Sequence, residues 1–332
     1  MFVQQTVMSA AIIVVLGGSA VADPGGDGRG YFQIGAGYAT DDGFIATAAI
    51  DQPSLFHSGI ELGESAWLSQ RRQRFDLTLD VPGLAGFDLY SERRVLPGFT
   101  RKATGLAMRH TMQLSPHVTA WVGYRLEQVD IERDAIERAT TLHPPDSAGL
   151  VSALSAGIKY STVDPLHRHG SELGLWADYA DPRLGSTYEI GRVGGWAATH
   201  QPVGPFTLHL GGSFTALASP TGVPLSERLF LDGASDVRGY APGAFGPVGG
   251  GTQKLAGHAS LELPVGHGLS LEGFVDYARI SNMEITSPIG IAHGSGMSAG
   301  YGVIWRSPLG PLHVDIAYPE CGAPTWFISF GP

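Results

Sequence analysis

From Tyr31 onward, the apolar residues of this chain recur at every second position, a period that dictates strands rather than helices. Phe32, Ile34, Ala36 and Tyr38 alternate with Gln33, Gly35 and Gly37, and Phe75, Leu77, Leu79 and Val81 alternate with Arg74, Asp76, Thr78 and Asp80. Val118, Ala120, Val122, Tyr124 and Leu126 interleave with Thr119, Gly123, Arg125 and Glu127, and Leu312, Val314 and Ile316 bracket His313 and Asp315. Successive side chains of a strand point to opposite faces, so each segment has one apolar face and one face that is polar or glycine. A soluble sandwich satisfies the same alternation by burying one face. Two features favour a membrane barrel instead. The segments run to about ten residues, the length of a tilted transmembrane strand. Aromatic residues also gather toward segment ends, as in the girdles at both headgroup levels: Tyr31, Tyr38, Tyr90, Trp121, Trp176, Tyr179, Trp196, Tyr277, Trp305, Tyr318 and Trp326.

Segments with this pattern fall at 31–38, 43–50, 59–67, 72–80, 86–93, 101–113, 117–128 and 150–161. The second half supplies 169–178, 188–199, 205–215, 255–264, 269–279, 295–306, 311–318 and 324–331. The fold class expected is all-β: a transmembrane antiparallel β-barrel of about 16 strands, the even number that places both chain ends on the periplasmic side. Two connections, Asp130–Gly149 and Ala216–Lys254, exceed the usual hairpin length and belong to the kind of loop that carries function.

Composition fits this pattern. A mean hydropathy near zero is what interleaved lipid-facing and lumen-facing residues produce. The 47 glycines and 16% charged residues suit strands and turns. With a net charge of −10 and no basic block, nucleic acid is not expected as a partner. The single cysteine, Cys321, precludes an intrachain disulfide. Met8–Leu16 is an apolar core too short to span a bilayer as a helix, and Ala20-Val21-Ala22 follows as a small-x-small cleavage site. Residues 1–22 are therefore read as a signal peptide, 23–30 as a short periplasmic segment and 31–332 as the barrel domain, located in the bacterial outer membrane.

Against this background Phe230-Leu231-Asp232-Gly233-Ala234-Ser235-Asp236-Val237-Arg238-Gly239-Tyr240 resembles the long-loop signature of the BamA/TamA family of outer-membrane assembly barrels. That signature ends in Val-Arg-Gly-aromatic, and its usual Gly-Gly pair stands here as Asp232-Gly233. Gly35–Gly43 is similar to the family's first hairpin, and Asp164-Pro165 to a shortened form of its mid-barrel region. Ala259-Ser260-Leu261-Glu262 and Phe274-Val275-Asp276 are similar to its twelfth and thirteenth strands, and Trp305–Pro311 to its penultimate turn. The likeness spans residues 31–331.

The resemblance implies a long loop folded into the lumen, with the motif arginine meeting wall carboxylates: the loop-anchor residues are then Arg238, Gly239, Tyr240, Glu262 and Asp276. Parity places both acids inward independently. Ala259, Leu261 and Leu263 face lipid, so Glu262 points into the lumen, and Asp276 shares a face with Glu272 and Phe274. The resemblance also implies a lateral seam between first and last strands, for which Gly35, Gly37, Phe327 and Gly331 are the candidates. It implies insertion or translocation of proteins, with outer-membrane lipid, unfolded outer-membrane protein clients and a periplasmic partner protein around the barrel. Family members carry POTRA domains ahead of the barrel, whereas only Asp23–Gly30 stands between the expected cleavage point and strand one. A passive or structural barrel or pore is the alternative.

No enzyme chemistry is expected. Gly296-Met297-Ser298-Ala299-Gly300 has the spacing of a nucleophile elbow, but Ser298 lies in a strand pattern and no histidine follows Asp315. Gly249–Lys254 lacks the flanking residues of a phosphate loop. His167-Arg168-His169 lacks a second ligand pair and a supporting carboxylate, so no metal and no cofactor are expected. Cys321 is read as an idle thiol in the loop before the last strand.

Overall fold

The computed structural model describes residues 19–20, 31–40, 42–55, 58–133, 148–163, 169–246, 249–282, 292–307 and 310–330. Sixteen long strands follow one another: β1 (Tyr31–Ala39), β2 (Gly43–Leu55), β3 (Ile60–Leu68), β4 (Arg72–Val81), β5 (Ala85–Leu96), β6 (Phe99–Ser115), β7 (Val118–Arg133) and β8 (Gly149–Ser161). The ring continues with β9 (Gly170–Ala180), β10 (Ile190–Val203), β11 (Phe206–Ala218), β12 (Gln253–Gly266), β13 (Leu269–Asn282), β14 (Ala292–Ser307), β15 (Gly310–Pro319) and β16 (Thr325–Phe330). Each pairs antiparallel with the next, and β16 returns to β1, closing the sheet into a barrel. Closure is what the alternating pattern requires, because an open sheet would leave two whole edge strands unpaired in lipid. Two residues further upstream, Ser19–Ala20, pair with Gln33 and Phe32 on the free side of β1.

Every segment read from the sequence corresponds to one strand, usually extended by a few residues at its ends. The side chains obey the expected parity. On β13, Leu269, Leu271, Val275 and Tyr277 are exposed to the outside, while Ser270, Phe274, Asp276, Ala278 and Ile280 are buried. Tight turns such as Pro116-His117, Gly204-Pro205 and His267-Gly268 collect at one end, and the long connections at the other. Short turns mark the periplasmic end of such a barrel and long loops the outside. His267 and Gly268 both have positive φ, at 56° and 75°, as the type I′ hairpin turn demands of its two central residues.

The aromatic girdle is only partly as expected. Tyr179, Tyr277, Trp305, Tyr318 and Trp326 do face outward and are exposed. Tyr90, Trp121, Trp176 and Trp196 instead face the lumen, each directly opposite a glycine on the neighbouring strand: Gly105, Gly157, Gly194 and Gly174. The rings lie across those glycines so closely that a Cβ would come within 2.5–2.6 Å of them. The glycines are therefore seats for large rings, which fill the interior that the glycine leaves open.

Candidate functional site

The described part of the β11–β12 connection, residues 219–246 and 249–252, folds back into the barrel. Val223 and Leu225 are buried, and Phe230 meets Phe99 of β6 edge-on, with ring centroids 5.6 Å apart. Further along, Leu231 and Val237 pack with Ala256, Ala278 and Ile280 of the wall, joined by Tyr240 and Phe245. The loop thus packs its apolar residues on the wall and is closed on itself by backbone bonds such as Leu229 N to Gly251 O at 2.9 Å.

Arg238 stands at the centre of the site. Its Nε donates to Asp276 Oδ2 at 2.8 Å and its Nη2 to Asp276 Oδ1 at 3.0 Å, a two-pronged fork. Nη1 reaches both Glu272 Oε2 and Asp315 Oδ2 at 3.3 Å, and the backbone N–H of Arg238 donates to Asp276 Oδ2 at 3.2 Å. The guanidinium also lies over the Phe274 ring, Cζ being 3.3 Å from its centroid. The Arg238 side chain is 17% exposed and that of Asp276 4%, so water screens the fork weakly. Burial disfavours the charged guanidinium, yet the hydrogen-bonded Asp276, with Glu272 and Asp315 behind it, outweighs burial and raises the Arg238 pKa.

The two motif residues that follow fix the geometry. Gly239 has φ +95°, and a Cβ there would lie 3.3 Å from the Ala317 Cβ on β15; both the backbone and the close wall call for glycine. Tyr240 donates its hydroxyl to the Met297 carbonyl at 3.3 Å and stacks edge-on with Phe245.

Glu262 departs from expectation. It points inward but does not join the Arg238 cluster; Arg306 Nη1 holds its Oε1 at 2.6 Å, and His209 Nε2 lies 3.2 Å from its Oε2. Glu262 sits on β12 directly opposite Glu272, at the height of an acid that Arg238 does reach, but one strand further round the wall, where Arg306 of β14 takes its carboxylate.

Sequence reading missed a second set of contacts. Glu227, whose side chain is 1% exposed, lies 3.0 Å from Arg192 of β10 and 3.3 Å from Arg101 of β6. Arg101 Nε also donates to the Ser226 carbonyl at 3.1 Å, and Asp232 pairs with Arg94 of β5. Lys254 holds Asp236 at 3.0 Å. Burial disfavours the Asp232 carboxylate, but Arg94 and Lys254 prevail and lower its pKa. The loop is thus tied to β5, β6 and β10 through one half of its length and to β13 and β15 through the other. Arg101 and Arg192 lie on strand segments whose alternation faces them inward, but nothing local reveals which loop acid meets them.

The seam is thin. Among the described residues a single pair is in register between β16 and β1, Ser329 with Ala39, where β15 and β16 share six. A side-chain bond also crosses it, from Ile328 N to Thr40 Oγ1 at 3.1 Å. Among the described residues, Ile34 to Tyr38 have no strand partner on that side of β1. Gly35 and Gly37 lie in this stretch, paired only with Thr47 and Ile45 of β2. Phe327 is not on the seam's edge but turned inward and buried, packed with Phe274, Ala317 and the loop residue Ala234. Gly331 lies outside the described residues. A cavity of about 290 Å³ joins the two features, lined by Ala39, Thr40, Arg238, Asp315, Phe327 and Ser329 among others.

The Omp85 superfamily domain matches residues 25–321. An outer membrane protein assembly factor BamA of Nitratidesulfovibrio vulgaris is 22% identical over 307 residues, covering 86% of this chain and 38% of its own. The factor of the same name from Neorickettsia risticii is 24% identical over 329 residues, covering 87% and 42%. The chain thus spans about two-fifths of the length of these curated relatives. Among solved structures, BamA from Haemophilus ducreyi lacking POTRA domains 1–3 superposes with a TM-score of 0.78 at 18% identity, over 96% of this chain and 74% of that one. CdiB from Acinetobacter baumannii superposes with a TM-score of 0.60 at 12% identity, over 91% and 59%.

Proposed function

The chain belongs to the Omp85 superfamily, as a BamA-like barrel of the bacterial outer membrane, and from that premise we propose that it inserts or translocates other proteins through its β1–β16 seam. The observation that carries the reading is the seam itself. A strand paired with β2 on one side but, among the described residues, without a strand neighbour on its seam side from Ile34 to Tyr38 is a template on which an incoming strand can pair. Glycine at 35 and 37 weakens the strand's own packing. Cleavage after Ala22 would also remove the Ser19–Ala20 pairing and lengthen the open edge. The client would be an unfolded outer-membrane protein, delivered by a periplasmic partner. Two relatives named as assembly factors support this reading.

In this mechanism the loop sets the shape against which the seam works. Arg238 holds Asp315 of β15 as well as Asp276 of β13, and Ala234 packs on Phe327 of β16. The last strands are therefore braced from inside while β1 is left free to accept a partner. Anchoring by Arg238, Gly239, Tyr240 and Asp276 is a positioning role.

One observation favours a second reading, a passive or structural barrel: Glu227 and Arg238 pin the loop to different arcs of the wall, which suits a permanent plug. Depletion of the protein from cells separates the two. Loss of other outer-membrane β-barrels from the envelope is the outcome expected of an insertase, and unchanged levels would leave the passive barrel as the answer.

A further inference from the structure

Two histidines face each other across the β10–β11 hairpin, close to the periplasmic mouth. His200 and His209 are directly opposed in register, three residue pairs from the tight turn that joins Val203 to Phe206. Both point into the lumen, and their Nδ1 atoms are 2.6 Å apart, with ring planes inclined at 65°. The far nitrogen of His209, Nε2, lies 3.2 Å from Glu262 Oε2. Glu262 is itself fixed by Arg306 at 2.6 Å, which also donates to Ser270 Oγ at 2.9 Å.

This chain of contacts decides the tautomer. The Glu262 carboxylate only accepts, so His209 carries its proton on Nε2 and turns the Nδ1 lone pair toward His200. An imidazole whose second nitrogen donates to a carboxylate is the usual arrangement of a metal-ligating histidine, since the carboxylate both orients the ring and raises its basicity. His200 completes the pair when its own proton sits on Nε2.

We propose that His200 and His209 bind a divalent transition-metal ion of the imidazole-preferring class, Cu2+ or Zn2+, with Glu262 as the outer carboxylate. Two nitrogens on one tetrahedral ion at ~2.05 Å lie about 3.3 Å apart, so the rings need to part by roughly 0.7 Å, a small change in side-chain torsions. Among the described residues no three His, Cys, Asp or Glu side chains already surround one point. The pair therefore supplies two ligands and water the rest, an open site. Glu172 of β9 and His258 of β12 stand on the strands that flank the hairpin, at the register of Ala198 and Gly211, two residues from His200 and His209, and are donor types that suit such an ion. The His209 side chain is 25% exposed, so solvent reaches the site. Bound there, the ion staples β10 to β11 at the rim.

The test uses the full chain, refolded in detergent micelles and purified on a tag without histidine. Titration with Zn2+ by calorimetry, and with Cu2+ by electron paramagnetic resonance, is expected to give one saturable site in which two nitrogens couple to the copper. His200→Gln and His209→Gln are each expected to weaken it at least tenfold, and Glu262→Gln by about tenfold through the lost orientation. His267→Gln, in the turn of the next periplasmic hairpin, should leave it unchanged. Zn2+ should also raise the melting temperature of the parent barrel but not of His200→Gln or His209→Gln, each first checked for the heat-modifiable gel mobility of a folded barrel. Should His209→Gln fold poorly, His200→Gln alone decides. Absence of a saturable site in the parent protein, or parental affinity in a folded His200→Gln or His209→Gln variant, overturns the proposal.

Discussion

Replacing Arg238 by alanine removes every prong of the fork at once and leaves Asp276, Glu272 and Asp315 facing one another without their common cation. Each of these carboxylates lies within 3.3 Å of the guanidinium. Breaking a buried ion pair from one side costs about 3–5 kcal/mol. The Arg238 side chain retains 17% exposure, so the lower end, about 3 kcal/mol, is the better guide. Part of that is recovered when one of the stranded acids takes up a proton. At about 1.4 kcal/mol per decade, the released state of the loop should become roughly 100-fold more populated. Amide hydrogen exchange of residues 231–240 in the folded barrel reads this directly, since protection there reports local opening rather than global unfolding. Arg238→Lys keeps the charge but not the fork, and should fall between parent and alanine variant. Exchange in Arg238→Ala within about twofold of the parent would refute the claim that this arginine holds the loop.

Further outcomes follow from the same geometry. Glu227→Gln should loosen residues 223–230 and leave protection at Arg238 largely intact, because its partners Arg101 and Arg192 stand on other strands; combined with Arg238→Ala the effects should add, as for separate sites, and limited proteolysis of the two single variants distinguishes the halves. Lowered pKa values for buried acids give stability that is complete above the unfolded carboxylate range near 4 and is lost as pH falls through the lower folded value; with Asp232 shifted downward by Arg94 and Lys254, loop protection around residue 232 should hold at pH 5 and fall only below about pH 4. Gly194→Val places a side chain where a Cβ already comes within 2.5 Å of the Trp176 ring, and should lower the melting temperature by the few degrees that an overpacked interior of ~1–3 kcal/mol implies, an effect thermal unfolding in detergent would show.

The parts of this architecture that were legible in the sequence are those set by period and local chemistry. Alternation fixed the number and place of the strands and the inward face of Glu262 and Asp276, because a period of two assigns faces without reference to any partner. The loop motif resembles a family signature, and Arg238 does meet Asp276. Height along the wall is another matter. Face alone could not show that Glu262 sits opposite Glu272, within reach of Arg306, since register depends on every preceding turn and bulge. The contact between Glu227 and Arg101 spans 126 residues and has no local signal. Trp121, Trp176 and Trp196 were read as girdle residues from their place near strand ends; the leucine or valine beside two of them, Leu175 and Val122, already marked the outward parity that sends these rings inside. The His200–His209 pairing was hidden for a similar reason, since neither residue lies in a recognisable ligand spacing until the hairpin folds.

The measurement that bears most directly on the central claim is a lock across the seam. With Cys321 replaced by serine, cysteines at Ala39 and Ser329, a pair in register between first and last strands, are oxidised in cells that depend on the protein. The account predicts that the locked barrel stays folded while other outer-membrane β-barrels are lost from the envelope, and that reduction restores them. Normal levels of those proteins with the seam fully cross-linked would contradict it.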